Sequence, residues 1–234
     1  MIYVREMHSV IGGKLEEFLE TCRKDWMLLV EKDGLARVMW FWEWAHGTGP
    51  GYRCVSLIQC PDFKSWGELV DRYQRKGHPL HEWYEHAWQY RRAVDGRVMT
   101  PTSWSPMPKL PPQGKPVDHP HSLYMHDVAY PFPGHVEKYM ETLGKHYFPF
   151  LGRERMLSME LCLRVAPGGS DVHEVSLIQR VNKPEEFLRL VKGDAPAHAP
   201  ARQENASSWM TVSLTVRDNW HSQMLRTTTW SPLD

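Results

Sequence analysis

A pentamer of this chain occurs twice: Val55-Ser56-Leu57-Ile58-Gln59 returns unchanged as Val175-Ser176-Leu177-Ile178-Gln179, at an offset of 120. Weaker matches run collinear with it. Tyr3 answers Tyr124, Gly13 answers Gly134, Glu16 answers Glu137, and Glu20-Thr21 answers Glu141-Thr142, all at an offset of 121. Further on, Thr102-Ser103-Trp104-Ser105-Pro106 answers Thr228-Thr229-Trp230-Ser231-Pro232 at 126. A fixed order with a slowly drifting offset marks an internal duplication, here of a unit of roughly 105 residues. Two copies are too few to stack as a solenoid, so the expected product is a duplicated domain whose halves pack as a pseudo-dimer.

Within each copy the hydrophobic period alternates between strand and helix. Ile2 to Val10 is a β-rich run stopped by Gly12-Gly13; Leu15, Phe18, Leu19, Cys22, Trp26 and Leu29 then recur at helical spacing. Leu35–Trp44 and Tyr52–Cys60 read as strands, Pro61–Tyr73 and His81–Arg92 as helical pieces, and Arg97–Trp104 as the last strand, opened by Gly96. The second copy repeats the order, with strands expected over Leu123–Tyr130, Met156–Val165, Val172–Arg180 and Gln223–Trp230 and a loose loop over Ala195–Ala206. The class is α+β: two tandem ferredoxin-like βαββαβ units, residues 1–106 and 122–234. Between them the stretch 107–121 is rich in Pro and reads as a stiff linker.

Charge and composition exclude several function classes. Lys plus Arg equals Asp plus Glu at 28 each and no basic stripe stands out, so the footprint for nucleic acid is missing. Arg5 and Glu6 interrupt the apolar start and no run of 18 apolar residues occurs, which speaks against a signal peptide or a membrane span and for a cytoplasmic protein. Cys22, Cys54, Cys60 and Cys162 form no CxxC and read as reduced structural thiols. Eleven Trp beside nine Tyr and seven Phe are enough to line a pocket for a hydrophobic or aromatic small molecule as well as to fill a core. A homo-oligomer is left open.

Tyr3 through Phe18, ending Gly12-Gly13-Lys14-Leu15-Glu16-Glu17-Phe18, resembles the opening of NIPSNAP domains of the dimeric α/β-barrel superfamily, and Pro133-Gly134-His135 fits the same turn in the second copy. The resemblance covers nearly the whole chain. It implies that the sheets of the two units pack as a pseudo-dimeric α/β barrel and that ligands sit between a sheet and its own helices. Members of the superfamily include cofactor-independent cyclases, isomerases, lyases and monooxygenases, and also haem proteins. The Arg and Tyr common on the first strand of NIPSNAP domains are replaced here by Glu6 and His8, and by Asp127 and Ala129 in the second copy, so the two clefts are expected to differ.

Three constellations stand out. Glu6 and His8 share a face of the first strand, where the acid can orient the imidazole and raise its basicity for general-base work. Trp40, Trp42 and Trp44 share a face of the second strand, with Phe41 and Glu43 opposite, and Glu43, a carboxylate held among aromatic side chains, is a candidate acid. His78, His81, Glu82, Glu85 and His86 do not form a metal motif, because His81 and His86 stand about 140° apart around a helix. One of these histidines can still act as a base or as a single haem ligand. The second copy offers His126 and Tyr130.

The sequence thus points to a lyase or isomerase acting on a hydrophobic, aromatic substrate by acid–base chemistry, without redox cofactor or metal. The expected catalytic set is His8, Glu6, Glu43, His78, His81 and His126; the expected binding set is Tyr3, Arg5, Trp40, Trp42, Trp83, Tyr124 and Tyr130. Haem binding and a non-catalytic binding or assembly role are the alternatives. Copy one is expected to hold the site, with His8→Ala lowering turnover by a factor of about 100 or more with little change in melting temperature. Ser56 and Ser176 are expected on equivalent faces, with Gln59 and Gln179 bonded alike.

Overall fold

The computed structural model describes residues 1–114, 117–169, 173–192 and 209–234; the expected loop Ala195–Ala206 and the start of the strand expected from Val172 lie outside them. The first copy runs β1 (Ile2–Val10), α1 (Leu15–Thr21), α2 (Met27–Glu31), β2 (Arg37–Trp44), β3 (Arg53–Cys60), α3 (Phe63–Gln74), α4 (Pro79–His86) and β4 (Arg91–Pro101). The second runs β5 (Leu123–Pro131), α5 (Val136–His146), β6 (Leu157–Val165), β7 (Val175–Val181), α6 (Pro184–Lys192), α7 (Trp209–Ser213) and β8 (Arg217–Thr227).

Two compact units result, and each borrows a segment from the other copy. Unit 1 contains Met1–Thr100, Lys109–His121 and Leu225–Asp234, and unit 2 contains Pro101–Pro108 and Ser122–Met224. In unit 1 the antiparallel order is β4-β1-β3-β2, with Leu225–Thr227 paired along the far side of β2. In unit 2 the order is β8-β5-β7-β6. Both are the ferredoxin-like arrangement that the βαββαβ pattern predicts.

The exchanged segments explain the Trp-Ser-Pro repeat. In unit 1 the Thr228 N–H donates to the Phe41 carbonyl at 3.0 Å, and the Phe41 N–H donates to Ser231 Oγ at 3.1 Å. In unit 2 the Thr102 N–H donates to the Cys162 carbonyl at 3.0 Å, and the Cys162 N–H donates to Ser105 Oγ at 2.9 Å. Both backbone groups of one strand residue are satisfied this way, which a buried sheet position requires.

Packing in unit 1 is built on Phe18, Trp26, Phe41, Leu69 and Trp83 between sheet and helices; Tyr139, Leu143, Met159, Cys162 and Leu177 do the same in unit 2. A π-helical turn at Cys22–Trp26 separates α1 from α2 and seats the Trp26 ring on Phe41 and Trp83, with centroids 5.9 and 6.0 Å away. Asp62 caps α3 by accepting from the Ser65 N–H at 2.8 Å. The last strands begin earlier than the sequence suggests, at Arg91 instead of Arg97 and at Arg217 instead of Gln223. Gly96 does not open β4 but lies inside it, opposite Glu6; Arg91 and residues 93–96, ahead of the expected start, are ladder residues, and Arg92 is passed over at a bulge. All four cysteines are free and buried.

Candidate functional site

Residues directly opposite each other in an antiparallel ladder share a face, so the register sorts the candidates. In unit 1 His8 opposes Cys54 and Glu6 opposes Ser56, which in turn opposes Phe41; this is the face under the helices. Tyr3 opposes Gln59, Arg5 opposes Leu57, and Leu57 opposes Trp40; these, with Trp42, occupy the other face. The pleat therefore separates the expected base from the expected aromatic wall. Trp40 and Trp42 stack on each other with centroids 5.4 Å apart and are fully buried away from His8. Burial pushes the Tyr3 phenol up to about 12, and its O–H donates to Met1 Sδ.

His8 is a buried neutral imidazole. Arg91 Nη1 stands 3.2 Å from His8 Nδ1, and because a guanidinium only donates, Nδ1 is the acceptor and the ring proton sits on Nε2. That proton faces Ser56 Oγ at 3.4 Å and Glu6 Oε2 at 3.8 Å. Burial first, and the Arg91 charge second, hold the His8 pKa down to about 3. The expected gain in basicity from Glu6 is thus overturned, and His8 does not fit the role of a base near neutral pH. Burial raises Glu6, against the pull of Arg91.

The other expected residues of copy one are dispersed. Glu43 lies on the His8 face but two strands away, ion-paired to Arg226 Nη2 at 3.1 Å. His78 is the N-cap of α4: its Nδ1 accepts from the Leu80 N–H at 3.2 Å. His81 Nδ1 donates to the Tyr73 carbonyl at 2.8 Å. Trp83 does reach the helix-covered face, where its indole N–H donates to Thr21 Oγ1 and its ring lies under Arg91.

Arg91 is the residue that sequence reasoning missed, and it has a counterpart. It starts β4 as Arg217 starts β8, and each stacks on a tryptophan eight residues earlier, Trp83 at 5.7 Å and Trp209 at 5.5 Å. The Trp-x7-Arg spacing recurs at the same offset of 126 as the Trp-Ser-Pro repeat, a signal present in the sequence. Each unit thus places an acid of its first strand, Glu6 or Asp127, near a buried arginine of its last strand.

Unit 2 arranges this differently. His126 lies on the face away from the helices, with Tyr124, and is bonded through Nε2 to Ser176 Oγ at 2.7 Å. Tyr130 is half-buried against His221. On the helix-covered face Asp127 accepts from Gln179 Nε2 at 2.9 Å and from Ser222 Oγ. Gln179 Oε1 accepts in turn from Tyr147 at 2.6 Å, which fixes the amide and completes a Tyr147–Gln179–Asp127 chain. Arg217 bonds Tyr139 and stacks on Trp209 and Trp220. Burial raises the Asp127 carboxyl to about 6, its hydrogen bonds and Arg217 opposing. Burial likewise raises the Tyr139 and Tyr147 phenols far above their ordinary value.

No family model and no curated protein sequence matches the chain. Solved structures do match. A protein from Fusobacterium nucleatum, provisionally named a monooxygenase, superposes at a TM-score of 0.59 with 8% identity, over 97% of this chain and 91% of that one. One of the same provisional name from Lactobacillus acidophilus gives 0.55 with 9% identity, over 98% and 97%. A NIPSNAP domain protein from Burkholderia xenovorans covers 46% of this chain and 100% of its own at 15% identity, with a TM-score of 0.40. The fold is of the dimeric α/β-barrel type. At these identities the likeness reaches the fold and no further. A dimeric α/β-barrel fold with acid and arginine inside a helix-covered face is what the unit 2 geometry adds to it. Among the described residues no helix is long and apolar enough to cross a membrane, and no cluster of three or more His, Cys, Asp or Glu is set to hold a metal ion.

Proposed function

We propose that the chain is a small-molecule enzyme that moves a proton on a hydrophobic, aromatic substrate, as a lyase or isomerase without redox cofactor, with Asp127 of unit 2 as the proton-transfer group. The observation that carries the reading is the Asp127 carboxyl, buried on the helix-covered face and held by two neutral donors. A carboxylate poised near pH 6 is both a competent base and a recoverable acid, as proton abstraction needs. Arg217 beside it supplies positive charge for an oxygen on which negative charge develops. Tyr139, Tyr147 and Trp209 furnish the aromatic surroundings. This moves the proposed site from copy one to copy two, because the His8 imidazole is neutralised by its surroundings and the Asp127 carboxyl is tuned by them.

Haem would need an imidazole nitrogen free to face the ligand. Of the helix histidines expected as a single haem ligand, His78 commits Nδ1 to capping α4 and His81 commits Nδ1 to the Tyr73 carbonyl, and the buried His8 is held between Arg91 and Ser56. Deuterium wash-in from heavy water into a panel of phenols and aryl ketones, followed by proton NMR, tests the proposal. The wild type is expected to catalyse exchange at one acidic position and Asp127→Asn to lose it by a factor of about 100. Exchange undiminished in Asp127→Asn, or an intense Soret absorption of the purified protein, overturns it.

A further inference from the structure

Unit 1 holds a cavity of about 270 Å³ where the end of α2 meets the Pro-rich linker and the last residues of the chain. No strand residue lines it, so it is distinct from the space between the sheet and its helices. Its walls are apolar, with Met27 on one side and Pro111, Pro112, Val117 and Pro232 on the others. Against them stands one buried acid. Glu31 is 3% exposed; its Oε1 accepts from the Val38 N–H at 3.1 Å and its Oε2 from the Gly114 N–H at 3.4 Å. Gly114 belongs to the lining, which puts Oε2 at the cavity wall. Both donors are neutral, and two bonds leave about half of a carboxylate's acceptor sites open. Arg37, whose charge acts on Glu31 from further off, turns Nη1 to the Ala36 carbonyl at 3.2 Å and Nη2 to Gln113 Oε1 at 3.1 Å. A buried carboxylate without a paired cation is costly, and burial pushes the Glu31 carboxyl above its ordinary value. His119 does not fill the gap: its two ring nitrogens face the Pro120 and Ser231 carbonyls at 2.7 and 2.8 Å.

We infer that this cavity is a binding site for a small primary amine with a compact apolar body, its ammonium group held by Glu31. An ammonium brings three donors and a positive charge, which supply the ion pair that Glu31 lacks and the bonds its oxygens can still accept. Asp234, exposed at the same cavity, makes the local field more negative and so favours a cation over an anion. The body of the amine leaves water for the Met27 side chain and the proline rings. At about 30 Å³ for each water displaced, the volume holds roughly nine non-hydrogen atoms, which selects a free amine of that size. The site is independent of the proton chemistry assigned to Asp127.

Phenethylamine titrated into the full chain at pH 7.5, read by calorimetry and thermal melting, tests this, with 2-phenylethanol as the uncharged probe of the same shape. Saturable binding and a raised melting temperature are expected for the amine, and binding at least about tenfold weaker for the alcohol. Glu31→Gln should weaken the amine by at least about tenfold, since the ion pair is lost, whereas Glu68→Gln, a surface acid of α3, should leave it unchanged. Val117 is 83% exposed, so the fold tolerates Val117→Arg, which sets a cation at the cavity and should weaken the amine by about tenfold. No saturable binding of the amine, equal binding of the alcohol, undiminished affinity in Glu31→Gln, or a loss as large in Glu68→Gln overturns the inference. Should Glu31→Gln not fold, unchanged affinity in Val117→Arg overturns it.

Discussion

Ser56 points under the helices of its unit, and Ser176, at the same place in an identical pentamer, points to the opposite face of its own. Ser56 opposes Glu6, whereas the counterpart acid Asp127 opposes Leu177. The strands of the two copies align at an offset of 121, and the bulges after Val38 and Met159 keep that offset, while the pentamers align at 120. A slip of one residue inverts every side chain of a strand. Gln59 and Gln179 therefore differ: Gln59 Oε1 is buried without a partner, and Gln179 bonds Tyr147 and Asp127. The expectation that both pentamers share one environment is overturned.

The two serines should then differ in weight. Ser176→Ala removes a 2.7 Å bond to His126, and Ser56→Ala a 3.4 Å contact to His8. We expect the first to cost about 1–3 kcal/mol and the second about 0.5 kcal/mol, by urea melts of each variant. Equal costs would contradict the inverted register.

His8 gives the fold a pH dependence whose sign follows from its surroundings. Its folded pKa of about 3 lies below the ordinary 6.5, so the folded state resists a proton that the unfolded chain accepts. The stability it contributes is complete above pH 6.5 and falls by about 1.4 kcal/mol per pH unit as pH drops towards 3. His8→Asn should flatten that slope between pH 6 and about 4. At neutral pH it should lower the melting temperature, since the shorter amide does not fill the place of a ring packed 5.3 Å from Phe18 and 6.3 Å from Phe41. This reverses the expectation for a His8 substitution: stability is affected and turnover in unit 2 is not.

The duplication, the order of elements and the linker's Pro content were legible because they rest on identity and period, which survive without tertiary knowledge. Which face each strand buries was not. Glu6 and His8 sit on one alternating set and Trp40 and Trp42 on another, but only the register with β3 tells which set meets the helices. Arg91 and Arg217 escaped notice because a charged residue ahead of polar ones reads as loop, and their burial depends on aromatic rings brought from α4 and α7. The offset of 126 shared by Trp83-Arg91 and Trp209-Arg217 was the available clue.

Two glycines in helices should respond oppositely to Ala. Gly67 lies exposed in α3, and an added Cβ meets nothing within 4 Å; Gly67→Ala should stabilise by about 1 kcal/mol. Gly144 lies in α5, where a Cβ would stand 2.8 Å from Trp104 Nε1. Gly144→Ala must displace that indole from Phe148, with an expected cost of about 1–3 kcal/mol by thermal or urea melts.

Gln179 is the residue through which the proposed proton-transfer group can be tested without a substrate. Its amide donates to Asp127 and accepts from Tyr147, and the first of these bonds favours the ionised carboxylate. Gln179→Leu keeps the volume and removes both, so the Asp127 pKa should rise above the wild-type value of about 6. A carboxyl raised in the folded state stabilises the fold below its ordinary 3.8, and that contribution is lost as pH climbs through the folded value. Relative to wild type, the variant's deficit should therefore be smallest at low pH and widen above pH 6. Carbon-13 NMR of the Asp127 carboxyl reads the shift directly, with Asp127→Asn to assign the signal. A midpoint that stays near 6 in Gln179→Leu would show that the Tyr147–Gln179–Asp127 chain does not tune the acid.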